Sequence, residues 1–297
     1  MNILVSNDDG IQAEGMRVLV KALAAIPGNN VYVSAPDGQR SACGHGITMT
    51  APIMVDDSVS VDGAVWAQAL SGTHGHWGVP VLYFPTASAD FEELERFGMI
   101  GALSDHIESG RIKIFSINSV NDWSLDNESV GPGERIWRQE LYDRYIIDEV
   151  VPYIFSNCGG PLPVAAVGAS FGAYHAVNTL FRHHEIFRWC IGMSGIYNIS
   201  CFLDGYYDER CYFHNPVSYI ANLYDPNIRR SLDSCNINII CGQGAWERVH
   251  YSREIHEVMD RVGIRHNFEL WGYDVAHDWP WWKVQMRQLV PRLFPLG

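Results

Sequence analysis

The chain has 297 residues, 47% of them hydrophobic and 19% charged, with a formal net charge of -13 at pH 7. That length and composition suit one large α/β domain or two smaller ones around a sizeable core. The acidic balance argues against nucleic acid or an anionic membrane as a partner, and no apolar run approaches the ~20 residues of a membrane span.

Asn2-Ile-Leu-Val-Ser6 reads as a strand and not a signal peptide, because no basic segment precedes it and acids follow within ten residues. A helix is expected over Gly15 to Ala25 and a second strand at Asn30-Val-Tyr-Val-Ser34, a βαβ, Rossmann-like beginning. Ile47 to Leu70 reads as β-rich, with turns at Asp56-Asp57 and Asp62-Gly63. The glycine-rich stretch Ser71-Gly-Thr-His-Gly-His-Trp-Gly78 marks a boundary, which divides the chain into residues 1–73 and 74–297.

Beyond it, strands and amphipathic helices alternate. Val81–Phe84, Ile112–Ile117, Val164–Gly168, Trp189–Met193, Ile237–Ile240 and Asn267–Trp271 are expected strands. Helices are expected over Phe91–Ile107, Arg135–Phe155, Ala173–Leu180, Arg253–Val262 and Trp281–Leu293, with an irregular segment at about 203–234. Such alternation implies an α/β fold with a mostly parallel, helix-covered sheet. The seven cysteines are odd in number and lack a Cys-x-x-Cys spacing, which fits free thiols in a reducing cytoplasm.

Gly168-Ala-Ser-Phe-Gly172 lies between an apolar strand and a helix, the nucleophile-elbow pattern. Glycines at both ends let strand and helix approach closely, so Ser170 can occupy a strained turn beside the first amides of the helix. A serine hydroxyl needs a base, and the base needs a carboxylate to orient it. His277 follows the last strand, where the base belongs, and Glu247 is the carboxylate in the loop after Ile240, with Asp274 as the second choice for the acid. The backbone amide of Phe171 and one from Thr86 or Ala87 are the expected oxyanion donors. His183-His184 and the pair His74 and His76 read as solvated or loop residues, since neighbouring helical residues point in different directions. The Trp279-Pro-Trp-Trp282 run reads as core packing at a helix start.

From about His76 onward the chain resembles the esterases related to esterase D and S-formylglutathione hydrolase. The matching stretches are Gly75-His-Trp-Gly-Val-Pro-Val-Leu-Tyr-Phe-Pro-Thr86, Gly168-Ala-Ser-Phe-Gly-Ala-Tyr-His-Ala176, Asp204-Gly-Tyr-Tyr-Asp208 and Trp271-Gly-Tyr-Asp-Val-Ala-His-Asp-Trp-Pro-Trp-Trp282. The resemblance implies an α/β-hydrolase fold with Ser170 as nucleophile and His277 as base. It transfers the acid less directly, because relatives often carry Asp where Ala245 stands here. It implies a serine esterase acting on a small-molecule ester without a cofactor.

The first 73 residues resemble SurE-type nucleotidases, metal-dependent phosphatases of nucleoside monophosphates. The resemblance rests on Ile3-Leu-Val-Ser-Asn-Asp-Asp-Gly-Ile11, Ala35-Pro-Asp-Gly-Gln-Arg-Ser41, Gly44-His-Gly-Ile-Thr48 and Ser71-Gly-Thr73. It implies Asp8, Asp9 and Ser41 as ligands of Mg²⁺ or Mn²⁺, for which adjacent carboxylates are suited. That family's fourth ligand, an asparagine in a Ser-Gly-x-Asn stretch, has no counterpart here, and Asp8 and Asp9 read more readily as helix-capping residues than as metal ligands. The esterase part also lacks its relatives' opening β-hairpin, so Ile47-Thr-Met-Thr50 and Ala64 to Leu70 are expected to replace the missing edge strands. Three functions are therefore in view: serine esterase, metal-dependent nucleotide phosphatase, and a catalytically silent fusion that binds a partner.

Overall fold

The computed structural model describes residues 2–6, 14–26, 30–34, 53–61, 64–69 and 71–296. The chain divides into two compact units, Met1–Ser71 and Gly72–Gly297. In the first, β1 (Asn2–Ser6), α1 (Glu14–Ala24), β2 (Asn30–Ser34), β3 (Ile53–Val61) and β4 (Ala64–Ala69) build a four-stranded sheet of order β1-β2-β4-β3. β2 runs parallel to β1 and to β4, and β3 closes the sheet antiparallel to β4. Asp8, Asp9, Ser41 and Ile47–Thr50 lie outside the described residues.

The edge-strand expectation for Ala64–Leu70 is corrected here. β4 satisfies its backbone between β2 and β3 in the four-stranded sheet, so it supplies no edge to the other one. The edge strand of the larger sheet beside β7 is β5 (Ser71–His74).

The second unit continues with β6 (Val79–Phe84), α2 (Glu93–Arg96), α3 (Met99–Ala102), α4 (Ser104–Glu108), β7 (Ile112–Ile117), α5 (Pro132–Tyr145), α6 (Val151–Asn157), β8 (Val164–Ala169), α7 (Phe171–Arg182) and β9 (Phe187–Met193). It ends with α8 (Glu209–His214), α9 (Pro216–Tyr219), α10 (Pro226–Leu232), β10 (Asn236–Cys241), α11 (Val249–Val262), β11 (Asn267–Leu270) and α12 (Trp279–Leu293). The seven-stranded sheet has the order β11-β10-β9-β8-β6-β7-β5, parallel from β7 through to β11. This is the α/β-hydrolase arrangement, with β6 and β8 at its centre.

Period-two alternation distributes each central strand between two cores. Leu82 and Phe84 of β6 pack with α5, α7 and α11 residues on one face. Val81 and Tyr83 pack with Leu94, Met99, Trp282, Met286 and Leu289 on the other. Both faces of β6, β7 and β8 are thus covered, and those strands read as continuous apolar runs for that reason. Helix α7 is buried from Phe171 through Phe181 and forms the spine of the unit.

Two expected helices are interrupted. Residues 91–107 form three short helices, with Gly98 in the left-handed region (φ 72°) ending the first turn. Residues 135–155 pass through a π-helical turn at Ile146–Val150. Pro152 lies just beyond it; it lacks an N–H and its ring crowds the carbonyl four residues back, so the backbone widens there.

Candidate active site

Five loops, after β6, β8, β9, β10 and β11, carry the side chains and amides of interest at the carboxyl ends of the parallel strands, which is where open α/β sheets place their sites. Ser170 immediately follows β8 with φ 54° and ψ −121°, a conformation that non-glycine residues adopt only under constraint. The constraint is steric. A Cβ on Gly168 would sit 2.2 Å from backbone atoms of Gly172, and one on Gly172 would sit 2.4 Å from the Phe84 carbonyl oxygen. Only glycine at both positions lets α7 press onto the end of β6 while the serine turns between strand and helix.

His277 Nε2 lies 3.0 Å from Ser170 Oγ, and His277 Nδ1 lies 3.4 Å from Glu247 Oε2. Three residues from three loops, 107 and 30 positions apart in pairs, therefore form one hydrogen-bonded row. The loops bearing Glu247 and His277 are bound to each other by their backbones. Gln243 N–H donates to the Gly272 carbonyl at 3.2 Å, Gly244 N–H to Val275 at 2.8 Å, and His277 N–H to Ala245 at 2.9 Å. Cβ atoms on Gly242 or Gly244 would collide with Val275 backbone at 2.1 and 2.8 Å, so these glycines allow the ladder to form. Asp274 is exposed, and the carboxylate that reaches His277 is that of Glu247.

The Glu247 side chain is 1% exposed, against 25% for His277. Burial alone would raise its pKa, but the hydrogen bonds from His277 and Ser194 and the charge of a protonated His277 outweigh that and hold it below the usual glutamate value. Oε1 accepts from Ser194 Oγ at 2.6 Å and from Gly242 N–H at 3.1 Å. Oε2 accepts from the Cys241 thiol at 3.4 Å. Burial and then the Glu247 charge push Cys241 up to about 12, so the thiol keeps the proton it donates. The ionised, fully ligated carboxylate is the state suited to orienting an imidazole.

Ser194 and Trp282 belong to this site although sequence reasoning did not find them. Ser194 directly follows β9 with φ 52°, and its hydroxyl accepts from Trp282 Nε1 at 3.1 Å while donating to Glu247. The Trp282 ring meets His277 edge-on at 5.0 Å. Thus the aromatic run at the start of α12 is core packing with one indole turned toward the acid. The sequence showed only that Ser194 follows a parallel strand, which does not mark it as a donor to Glu247.

Phe171 opens α7, among the amides a helix start leaves without an intrahelical acceptor. Of the two residues named for the second oxyanion donor, Thr86 is corrected. Its N–H donates to Glu93 Oε2 at 2.8 Å and its hydroxyl to the other oxygen of the same buried carboxylate, so its amide is engaged. Ala87, with φ 38°, is the one that stays in consideration.

His183 and His184 serve separate partners, Asp143 and Ser231, and both are half-buried rather than solvated as expected. His256, Asp260 and His266 bring three ligand atoms within 4.8 Å of one another, but His256 Nδ1 and His266 Nε2 already share a hydrogen bond at 2.8 Å. The described cysteines are free thiols. Among the described residues, no helix is long and apolar enough to cross a membrane.

Comparison with known proteins separates the two units. Residues 3–80 match the family model "Survival protein SurE", and residues 78–293 match "Putative esterase". The 5'-nucleotidase SurE of Trichodesmium erythraeum (strain IMS101) is 53% identical over 74 residues, 25% of this chain and 27% of that protein. The chain spans about a quarter of the length of the curated relatives it matches. Among solved structures, a ferulic acid esterase superposes with a TM-score of 0.56 at 18% identity, covering 73% of this chain and 85% of the other. An S-formylglutathione hydrolase from Agrobacterium tumefaciens gives 0.55 at 12% identity, covering 73% and 83%.

Proposed function

This chain belongs to that esterase family through residues 78–293, and from that premise we propose that it is a serine hydrolase cleaving a carboxylic ester or thioester through an acyl-enzyme. The observation that carries the reading is the row Ser170–His277–Glu247 on a strained elbow. In it, His277 Nε2 removes the Ser170 proton as Oγ attacks the acyl carbon, and Glu247 stabilises the imidazolium through Nδ1. The amides of Phe171 and Ala87 stabilise the oxyanion of the tetrahedral intermediate. Its collapse transfers the proton from His277 to the leaving alcohol or thiol. A water molecule, deprotonated by the same histidine, then releases the acid and restores Ser170. No step calls on a metal. The thioester option draws on the S-formylglutathione hydrolase likeness and the ester option on the ferulic acid esterase.

The identity to SurE nucleotidases supports a second reading, a Mg²⁺- or Mn²⁺-dependent nucleotide phosphatase at Asp8, Asp9 and Ser41. Hydrolysis of p-nitrophenyl acetate by wild type and Ser170→Ala, each with and without EDTA, separates the two. The esterase reading expects activity that vanishes in Ser170→Ala and is indifferent to EDTA. Folded wild-type protein without activity refutes it, and Mn²⁺-dependent phosphate release from a nucleotide would then establish the other.

A further inference from the structure

The turn that carries Ala87 is held from several sides. Thr86 is tied to Glu93, and Ala89 N–H donates back to the Thr86 carbonyl at 3.0 Å. The Ala87 carbonyl accepts both Ser119 Oγ at 2.6 Å and Asn121 Nδ2. Asn121 is fully buried, and its Oδ1 lies 2.9 Å from Nε2 of His175, which is 2% exposed. His175 sits on α7, five residues after Ser170, with its ring stacked on Phe171 and Phe84 and edge-on to Tyr142.

The proton positions follow from chemistry. A backbone carbonyl only accepts, so the Asn121 amide must turn its NH₂ to Ala87 and its oxygen to His175. His175 must therefore donate from Nε2. Burial lowers its pKa to about 3, so the ring is neutral and carries its single N–H at that nitrogen. The direction of donation runs from His175 to Asn121 to Ala87.

Ala87 has a Cβ and φ 38°, a strained backbone state that persists only where its surroundings impose it. We infer that His175 and Asn121 are positioning residues that hold the Ala87 turn in this conformation, coupling the second oxyanion donor to the nucleophile's own helix. The inference rests on the esterase reading and names what aligns its oxyanion hole. Neither residue touches substrate. Their effect is to fix the direction of an amide that would otherwise relax toward an ordinary turn.

The test measures kcat/KM for p-nitrophenyl acetate and the inhibition constant of a trifluoromethyl ketone, which forms a tetrahedral adduct with an oxyanion. Losing one oxyanion donor outright costs about 10²–10³ in kcat, so Asn121→Ala is expected to lower kcat/KM by about 10–100-fold. The ketone should bind more weakly by a similar factor, because both report the same oxyanion. Ser119→Ala, which removes the other donor to the same carbonyl, should show a smaller loss in both. His175→Gln, which keeps a donor, should retain more activity than His175→Leu. Asn178→Ala controls for simple destabilisation, since Asn178 is a buried polar residue of the same helix bonded instead to His214 and Tyr219. Its ketone affinity should equal wild type.

Asn121→Ala with a lowered melting temperature but kinetics and ketone affinity within about twofold of wild type would overturn the inference. If Asn121→Ala does not fold, Ser119→Ala and the two His175 variants decide: kinetics unchanged in Ser119→Ala, or equal in His175→Gln and His175→Leu, overturn it too. Ser170→Ala run alongside keeps the two claims apart. Wild-type activity that survives Ser170→Ala overturns the esterase reading and the relay with it, whereas activity lost in Ser170→Ala and kept in Asn121→Ala overturns the relay alone.

Discussion

The two units resemble known proteins in opposite ways. The first keeps 53% identity to a SurE nucleotidase, yet over only 27% of that protein. The second is 12–18% identical to the solved esterases it superposes on, yet covers 83–85% of them and brings serine, histidine and glutamate into one row. Identity measures descent along a stretch of chain. Activity depends on a few groups held in one frame by strands and loops that can be far apart in sequence. The unit with the lower identity is therefore the better-supported enzyme.

The sharpest break in that comparison comes from the acid. Glu247→Gln keeps the shape of the site but presents an amide to His277, so kcat for ester hydrolysis should fall by about 10²–10⁴ with a small change in melting temperature. The paired substitution of Asp8 and Asp9 by Ala should leave the same rate unaltered. A rate that responds to the aspartates and not to Glu247 would reverse the assignment of function between the units.

Glycine substitutions set the units against each other in stability. Gly168→Ala places a Cβ 2.2 Å from Gly172 backbone, where no flexible side chain can give way, and should cost about 3 kcal/mol or more. Thermal unfolding of the variant checks it. Next in size is a pH effect confined to the second unit. Asp143, whose side chain is 7% exposed, would be raised by burial, but His183 and Arg182 lower it from 3.8 to about 2. A depressed carboxylate stabilises the fold above its unfolded pKa, so this contribution, on the order of 2 kcal/mol, is present above about pH 4 and lost as pH falls toward 2. Asp143→Asn should be less stable at neutral pH and show a flatter decline in acid, read by urea unfolding across that range. The smallest effect is Gly15→Ala in α1, where an added Cβ meets nothing within 4 Å. It should stabilise the first unit by about 0.5–1 kcal/mol through helix propensity.

Much of the second unit was legible because its strands are short, apolar and buried on both faces. Ile112–Ile117 needed no correction, and β8 was one residue longer than expected. Ser170 was legible because the elbow's glycines are a local steric requirement. His277 and Glu247 were legible through their order along the chain. What escaped depends on tertiary neighbours. Nothing local marks Ser194 as the donor to Glu247, since the partner is 53 residues away. The choice between Thr86 and Ala87 was set by Glu93, a buried carboxylate that captures the Thr86 amide. In the first unit, Ala64–Ala69 was rightly read as a strand and wrongly assigned to a sheet, because periodicity identifies a strand without naming its neighbours.

The central claim is that Ser170 is the activated nucleophile of this chain. Treating the protein with a fluorophosphonate and mapping the adduct by peptide mass spectrometry tests it most directly. The account predicts one adduct per chain, on the peptide containing Ser170, with labelling slowed strongly in Glu247→Gln and absent in Ser170→Ala. Folded protein that takes up no label, or takes it at another residue, would contradict it.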